Sequence, residues 1–206
     1  MAKQQHRYIG IAGVMGSGKT TAAKILKKEL GLPLLEEKPQ ENPFLADFYK
    51  DMRRWALHSQ LFYALYKIRQ NVRAKKALTN TSIIHDSPLG QDVVYAKIQH
   101  KVGNISSHEY KLIARLLALY KPHMIQPDPL IVLDAPIGLI LKRIASRGRD
   151  YEREVPRDYI AALLFFQKKW IAKYPRNKKI IVPMDKFDLK EKRRRSAFVK
   201  LVRSRL

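Results

Sequence analysis

Short apolar runs alternate along the chain with longer segments whose apolar residues recur every three or four positions. The first pattern predicts buried β-strands and the second predicts amphipathic helices. Their alternation is typical of an α/β fold, here a five-stranded parallel sheet with helices on both faces. The predicted strands are 8–12, 32–36, 82–85, 130–134 and 179–183. The predicted helices are about 18–30, 52–77, 92–101, 107–123, 137–146, 156–173 and 189–206.

Proline and glycine stand at the ends of these elements, and no stretch has the composition of a linker or a repeat. We therefore expect residues 1–206 to form one domain. After the second predicted strand, Pro39 and Pro43 bend the chain and leave Glu37 and Glu41 near the carboxyl end of that strand. Open α/β sheets bind their ligands at this end, so the sequence predicts a site there.

The composition excludes several kinds of site. The 206 residues include no cysteine, which excludes disulfides, thiolate metal sites and a cysteine nucleophile. This fits a reducing compartment, and we expect a cytoplasmic protein. The apolar runs are all shorter than the roughly 20 residues that a bilayer crossing needs, so no membrane span is predicted. We expect no targeting peptide, because only a short polar segment precedes the first predicted strand.

The charge is strongly positive, because 41 Lys and Arg stand against 18 Asp and Glu, for a formal net charge of +23. A field of this sign attracts polyanions. The basic residues are spread along the chain, and the dense run 190–195 lies near the start of the last predicted helix, 189–206. We expect this basic C-terminal helix to bind polyanions weakly and without sequence preference. A solvated helix face is the alternative.

Residues 13–20 read GVMGSGKT and match the phosphate-binding pattern G-x-x-x-x-G-K-[ST]. The match stands between an apolar strand and an amphipathic helix, which is the context that its chemistry needs. Loop N–H groups and the helix amino terminus bind phosphate oxygens, the lysine contacts the β- and γ-phosphates, and the hydroxyl contacts Mg²⁺. A glycine-rich turn with an incidental lysine is the alternative. The predicted ATP-binding residues are Gly13, Gly16, Ser17, Gly18, Lys19, Thr20 and Thr21, with Thr20 also a ligand of Mg²⁺.

The sequence lacks the motifs of two other classes of phosphate-loop protein. The base-reading N-K-x-D pattern of GTPases is absent from the sequence, and the fourth strand ends in a single acid, Asp134, where motors and ABC-type ATPases carry an acidic pair. A small-molecule kinase remains. Such an enzyme needs an acceptor pocket, a base for the acceptor hydroxyl and a basic lid over the transferring phosphate.

Three arginines are the candidates for that lid. Arg143 and Arg147 lie four residues apart on one face of a helix end, and Arg149 follows Gly148, where the chain can turn. Guanidinium groups suit planar phosphate recognition, so we expect them to bind ATP and neutralise the transferring phosphoryl group, with Arg147 catalytic. A basic helix end that complements the helix dipole is the alternative. The predicted lid covers about 143–154.

Three carboxylates follow the second predicted strand: Glu36, Glu37 and Glu41. A carboxylate within hydrogen-bond reach of the acceptor hydroxyl would orient it and take its proton. Spacing alone does not distinguish this base from a surface glutamate.

Four stretches of the chain, taken together, resemble the deoxynucleoside kinase family, most closely its bacterial deoxyadenosine/deoxyguanosine kinase branch. The phosphate loop at 13–21 has the family's pattern. The segment 37–60 is similar to the acceptor segment, with E-x-x-x-x-N-P followed by F-Y and a Gln. Residues 147–152, RGRDYE, resemble the R-G-R-x-x-E lid, and 185–189, DKFDL, resemble the loop around the adenine of ATP.

This resemblance spans nearly the whole chain and implies a P-loop kinase that phosphorylates the 5′-hydroxyl of a deoxynucleoside, with a purine favoured. It implies ATP and Mg²⁺ as cofactors and a homodimer formed through the long helices. In the acceptor site it implies Glu37 as the general base, Tyr49 and Glu152 on the sugar 3′-hydroxyl, Gln60 on the base edge and Tyr95 stacked under the base. In the donor site it implies Asp185, Lys186 and Phe187 around adenine.

The sequence departs from the family at the end of the third strand. The family has an acid-Arg-Ser/Thr triplet there, whose Arg steadies the catalytic Glu, whereas this chain reads His85-Asp86-Ser87. Depending on the register, Asp86 or Ser87 takes the position of the Arg. Asp86 is also a candidate for a Mg²⁺ contact beside Thr20, with a strand-end turn residue as the alternative.

The second departure is Lys67, where the family usually has an Arg that reads the base together with an Asp. The counterpart of that Asp is Gln91 or Asp92, depending on the register. Two rival functions stay open. A nucleoside monophosphate kinase of thymidylate-kinase type would need an extra cation for the acceptor phosphate, which Lys67 could supply, and a relative without catalysis would use the basic charge to bind nucleic acid.

Overall fold

The computed structural model of the protein describes residues 6–149 and 155–206. Within these two segments the chain forms five β-strands and eight α-helices. The strands are β1 Tyr8–Ala12, β2 Leu34–Leu35, β3 Ile83–Asp86, β4 Leu130–Asp134 and β5 Lys179–Pro183. The helices are α1 Lys19–Leu30, α2 Leu45–Lys50, α3 Met52–Ala77, α4 Asp92–Lys101, α5 Ser107–Tyr120, α6 Ile137–Arg147, α7 Arg157–Ala172 and α8 Lys192–Arg203.

The strands form one parallel sheet in the order β2-β3-β1-β4-β5. The central strands β1 and β3 are buried along their whole length, as expected for a parallel sheet covered on both faces. Ile11 of β1 pairs with Asp86 of β3, so the carboxyl ends of these strands lie side by side. The loop after β1 therefore meets the end of β3, and the ligand-binding edge of the sheet is set by this pairing.

Most of the predicted elements are confirmed, and β1, β4 and β5 have the predicted bounds. The strand predicted at 32–36 is shortened to two residues at the sheet edge, where Pro33 has no N–H to donate. The helix predicted at 107–123 ends at Tyr120, and its last residues form a 3₁₀ turn that contains a proline. The last helix begins at Lys192 instead of 189.

Helix α3 is unusual because it buries a row of polar side chains. It begins at Asp51, whose carboxylate accepts a hydrogen bond from the backbone N–H of Arg54 at 3.0 Å. Buried polar groups need partners. Asn71 finds them in the backbone of Ile125 and the hydroxyl of Tyr120. The buried polar residues of α3 are Ser59, Gln60, Lys67, Gln70 and Asn71.

Within the described part of the chain, no helix combines the length and the apolar character needed to cross a membrane.

Candidate active site

A cavity of about 1140 Å³ opens at the carboxyl ends of the strands. Its walls come from the loops after β1, β3 and β5, the segment after β2, and helices α1, α2, α3, α4, α6, α7 and α8. The structure brings most of the predicted site residues to this one space. The predicted residues that line it are Gly16, Gly18, Lys19, Thr20, Thr21, Glu37, Tyr49, Gln60, Tyr95, Arg143, Arg147, Arg149 and Asp185.

The loop between β1 and α1 has the compact shape of a phosphate cradle. Gly16 and Gly18 have positive φ angles of 75° and 102°, which side chains rarely allow. A Cβ on Gly13 would collide with the buried hydroxyl of Ser17. The Lys19 ammonium donates hydrogen bonds to the carbonyls of Gly13, at 2.8 Å, and Val14, at 3.2 Å. Lys19 thus folds back over the loop at the mouth of the cavity.

Gln91 fixes the start of this loop from the amino terminus of α4. Its side-chain amide N–H donates to the carbonyl of Gly13 at 2.7 Å, and its amide oxygen accepts from the Gly13 N–H at 3.3 Å. The sequence indicated Gln91 only as one of two counterparts of the Asp that reads the nucleobase. Its contact with a residue 78 positions away carries no signal in the sequence.

Thr20 and Asp86 meet beside the loop. The Thr20 hydroxyl donates a hydrogen bond to Asp86 Oδ2 at 2.8 Å. Asp86 is buried, and its Oδ1 has no hydrogen-bond partner among the described residues. Burial raises the pKa of this carboxyl, and the nearby Lys19 charge only partly opposes that effect. A carboxylate oxygen without a partner next to a threonine hydroxyl fits a Mg²⁺ ion that takes its other ligands from phosphate and water.

Glu37 is the least exposed of the three glutamates after β2, with 21% of its side chain exposed, and the three differ in their partners. Glu37 Oε1 forms an ion pair with the fully buried Lys67 at 2.8 Å. Glu36 pairs with the exposed Lys24, and Glu41 pairs with Lys38 of the same turn. The structure therefore separates Glu37 from its neighbours, which the spacing could not do.

Helix α3 also holds the backbone on both sides of Glu37. The Tyr66 hydroxyl donates to the carbonyl of Glu36 at 3.4 Å and accepts from the N–H of Lys38 at 3.3 Å. The Gln70 amide also donates to the Glu36 carbonyl. Burial raises the pKa of Glu37, but the charges of Lys67 and then Lys19 outweigh it and lower this pKa overall. Glu37 is thus fixed in place and ionised.

The family model described as deoxynucleoside kinase matches residues 9–205, nearly the whole chain. The chain belongs to the deoxynucleoside kinase family. This kinase is 30% identical over 167 residues to the deoxyadenosine/deoxycytidine kinase of Bacillus subtilis, with 80% of this chain and 76% of the relative covered. It is 29% identical over 189 residues to the deoxyguanosine kinase of Lactobacillus acidophilus, with 87% and 82% covered.

Its fold matches that of a deoxyadenosine kinase from M. mycoides solved with bound dCTP. The TM-score is 0.81 at 22% sequence identity, over 96% of this chain and 99% of that chain. The predicted fold class, a P-loop kinase fold with a five-stranded parallel sheet, is therefore confirmed.

One arginine of α6 contacts the phosphate loop of the kinase, and two further arginines line the cavity. The Arg143 guanidinium donates to the carbonyl of Ser17 at 2.8 Å. Arg147 ends the helix, Gly148 follows with a φ of 66°, and Arg149 returns to the cavity wall. The rest of the predicted lid falls largely on 150–154, and these residues, including Glu152, lie outside the described residues. The lid and the contact of Glu152 with the sugar stay predictions.

The acceptor half of the cavity combines aromatic and polar side chains. Tyr49 of α2, Gln60 of α3 and Tyr95 of α4 all face this space. Asp92, at the start of α4, joins them, with its Oδ2 buried and without a partner among the residues the structure describes. Burial first and Glu37 second raise the pKa of Asp92 to about 6, against the opposing charge of Lys67. Gln91 and Asp92 were the two candidates for the counterpart of the Asp that reads the nucleobase, and this geometry favours Asp92.

The loop after β5 corresponds only in part to the prediction. Asp185 lines the cavity, whereas Lys186 does not and Phe187 packs against the hydrophobic core. Lys190 and Arg194, in contrast, line the cavity, although the sequence indicated for this basic segment only a weak binding surface for polyanions. The reason is that the Asp188–Glu191 turn brings the first turn of α8 to the cavity rim.

Lys67 also differs from its predicted role as a residue that reads the base. It does not line the cavity, and its ammonium donates to the carbonyl of Ser87 at 2.6 Å in addition to pairing with Glu37. Lys67 therefore lies between Glu37, the candidate general base, and the end of β3.

Proposed function

We propose that this kinase transfers the γ-phosphoryl group of ATP to the 5′-hydroxyl of a purine deoxynucleoside. The observation that carries this proposal is that one cavity holds both the phosphate loop with Lys19 and the ionised, fixed carboxylate of Glu37. In the transfer, the 5′-oxygen forms a bond to the γ-phosphorus, and the bond from that phosphorus to the oxygen bridging it to the β-phosphate breaks. The hydroxyl proton passes to Glu37, and ADP leaves.

On the donor side, the loop N–H groups and the positive end of α1 bind the phosphates, and Lys19 turns from the Gly13 carbonyl to the β- and γ-oxygens. Arg143, Arg147 and Arg149 neutralise the charge that develops on the transferring group. Phosphoryl transfer involves little covalent chemistry by the protein, so these groups act by position and charge. Asp185 contacts the adenine, and Phe187 supports that loop from the core.

Thr20 and Asp86 are the residues that would hold Mg²⁺. The unpartnered Oδ1 of Asp86 supports this assignment. When bound, the ion would supply positive charge that offsets the negative charge of the ATP phosphates. Among the described residues no group of three or more His, Asp and Glu side chains could hold a metal ion, which suits an ion that keeps phosphate and water ligands.

On the acceptor side, Tyr95 stacks under the base, Gln60 and Asp92 read its edge, and Tyr49 holds the sugar. Buried polar groups of this kind reject bases that leave them unpaired. The names of the relatives include deoxyadenosine and deoxyguanosine kinases, which supports a purine. A location in the cytoplasm remains a prediction that rests on the absence of cysteine.

A homodimer is a further part of the proposal. Helices α3 and α5 pack together, and each carries two strongly exposed apolar side chains one heptad apart. Exposed apolar stripes of this kind mark protein–protein contacts. The four residues are Leu65 and Val72 of α3 and Leu112 and Leu119 of α5.

The experiment is a panel in which ATP is offered with each deoxynucleoside, each ribonucleoside and each deoxynucleoside monophosphate, and the products are separated. We expect phosphorylation of deoxyadenosine or deoxyguanosine at the 5′ position. Phosphorylation of monophosphates alone would support the monophosphate kinase instead, although Lys67 is occupied by Glu37 and Ser87. DNA binding without any phosphorylation would support the non-catalytic relative.

A further inference from the structure

Among the residues that the structure describes, Lys67 is the one lysine in the set of fully buried large side chains, with 1% of its surface exposed. Burying an ammonium is strongly unfavourable unless it is paired and hydrogen-bonded. Lys67 meets that condition with two oxygens, Glu37 Oε1 at 2.8 Å and the Ser87 carbonyl at 2.6 Å. It also lies within the electrostatic field of Asp92 and Asp86. These neighbours outweigh the effect of burial and raise its pKa, so Lys67 keeps its proton.

The end of β3 has no cation of its own. Burial lowers the pKa of His85 to about 3, so its imidazole is neutral. Asp86 contacts Thr20, and Ser87 follows it. The ammonium of Lys67 enters this space from α3, through its bond to the Ser87 carbonyl. A positive charge is therefore present at the end of β3, but a helix supplies it.

We propose that Lys67 is a positioning residue for the phosphoryl transfer, and that it keeps Glu37 ionised and aimed at the acceptor hydroxyl. This inference rests on the proposed function. Lys67 itself exchanges no proton in the step: the hydroxyl proton passes to Glu37 and later to solvent, and Lys67 stays an ammonium ion. A cation so close makes Glu37 a weaker base. In phosphoryl transfer, however, positioning of the reacting groups lowers the activation barrier more than proton transfer does.

The test uses Lys67→Met, which keeps the length of the side chain and removes its charge. We expect kcat to fall by about 100-fold with a smaller change in KM for the nucleoside. We also expect the acid limb of the pH profile of kcat to move to higher pH, because the loss of Lys67 lets burial raise the pKa of Glu37. Lys67→Arg keeps the charge and should retain activity within about tenfold of the parent. Lys75→Met, at an exposed position near the end of the same helix, is the control and should change neither quantity.

Several other titratable groups act on Glu37, so the experiment must show that the acid limb of the pH profile of kcat reports the ionisation of Glu37. Repeating the comparison in an Asp92→Asn background removes a neighbouring carboxyl whose pKa, about 6, falls in the measured range. The groups that face Glu37 are Lys19 of the phosphate loop, Asp86 of β3, Asp92 and Tyr95 of α4, and Arg149 after α6, besides Lys67.

A second variant tests the place of the charge. Adding Ser87→Arg to Lys67→Met returns a cation to the end of β3, and we expect it to recover about tenfold or more of kcat and to move the acid limb back. Binding of ATP by each variant shows that it is folded. A Lys67→Met enzyme with parental kcat and an unmoved acid limb would overturn the inference, as would a loss that neither arginine variant restores. A parent protein that phosphorylates no nucleoside would overturn the proposed function, and this inference with it.

Discussion

The Asp92 carboxyl is buried at the acceptor end of the cavity, and its pKa carries a consequence for stability. In the unfolded chain it ionises near 3.8, whereas in the folded protein burial raises the pKa to about 6. Between these two values the folded protein holds a proton that the unfolded chain has lost. The contribution of this group to stability therefore falls as the pH rises from about 4 to about 6, and it stays low above that range.

Asp92→Asn removes this ionisation while keeping the shape of the side chain. We expect the free energy of unfolding to rise by roughly 1–2 kcal/mol at about pH 7.5 and to change little at about pH 4. Urea denaturation at the two pH values measures it. Asp128→Asn, which breaks a surface ion pair with Lys178, is the control and should have a small effect at both. Destabilisation by Asp92→Asn at the higher pH would mean that the attraction of Lys67 outweighs burial.

For individual residues, the sequence predicts the members of a local motif. It does not predict contacts between residues that are far apart along the chain. The phosphate loop follows from spacing within eight positions, and the structure folds it as expected. The choice of Glu37 over Glu36 depends on Lys67, which is 30 residues away in the sequence and reaches Glu37 because α3 packs against the segment after β2. The charge pattern of the chain contains no sign of that contact.

At the scale of elements, the first turn of α8 reaches the wall of the cavity. Arg194 lines the cavity and pairs with Glu191 at 2.8 Å, whereas its neighbour Arg193 is an exposed residue outside the cavity wall. The two arginines have the same charge on the same helical turn. They therefore offer a matched pair for separating the nucleotide site from the general basic surface.

We expect Arg194→Gln to raise KM for ATP by about three- to tenfold, because an exposed guanidinium near a phosphate contributes modestly. Arg193→Gln should leave KM unchanged. Both variants should elute from heparin at lower salt, since each removes one cation from the basic segment. Steady-state kinetics and heparin chromatography test this, and equal effects of the two variants on KM would place the whole turn outside the site.

Elements were predictable where one face is apolar or where both faces are buried. Strands β1, β4 and β5 read as continuous apolar runs, and their bounds agree with the sequence. Helix α2 was missed because its six residues are too few to show a period. The polar row on α3 was also missed, because its buried Lys67 and Asn71 look like surface residues until the sheet is in place.

For the whole molecule, the exposed apolar stripes on α3 and α5 predict self-association. Leu65→Glu combined with Leu112→Glu places charge on both stripes, whose leucines are 58% and 53% exposed. We expect the parent to sediment at twice the 24.0 kDa chain mass and this variant at the chain mass. Val102→Glu, 50% exposed at the end of α4, is the control and should not dissociate the dimer. A parent that is monomeric at all concentrations would contradict the proposed homodimer.

The single-turnover rate of Glu37→Gln with ATP and the preferred deoxynucleoside decides whether Glu37 is the catalytic base. The amide keeps the shape of the side chain but cannot take the 5′-hydroxyl proton or pair with Lys67, so we predict a rate lower by roughly 10²- to 10⁴-fold with nucleoside binding retained. Glu36→Gln alters the adjacent surface carboxylate and should react at the parental rate. A Glu37→Gln enzyme that reacts as fast as the parent, or a loss confined to Glu36→Gln, would contradict the assignment of Glu37 as the catalytic base.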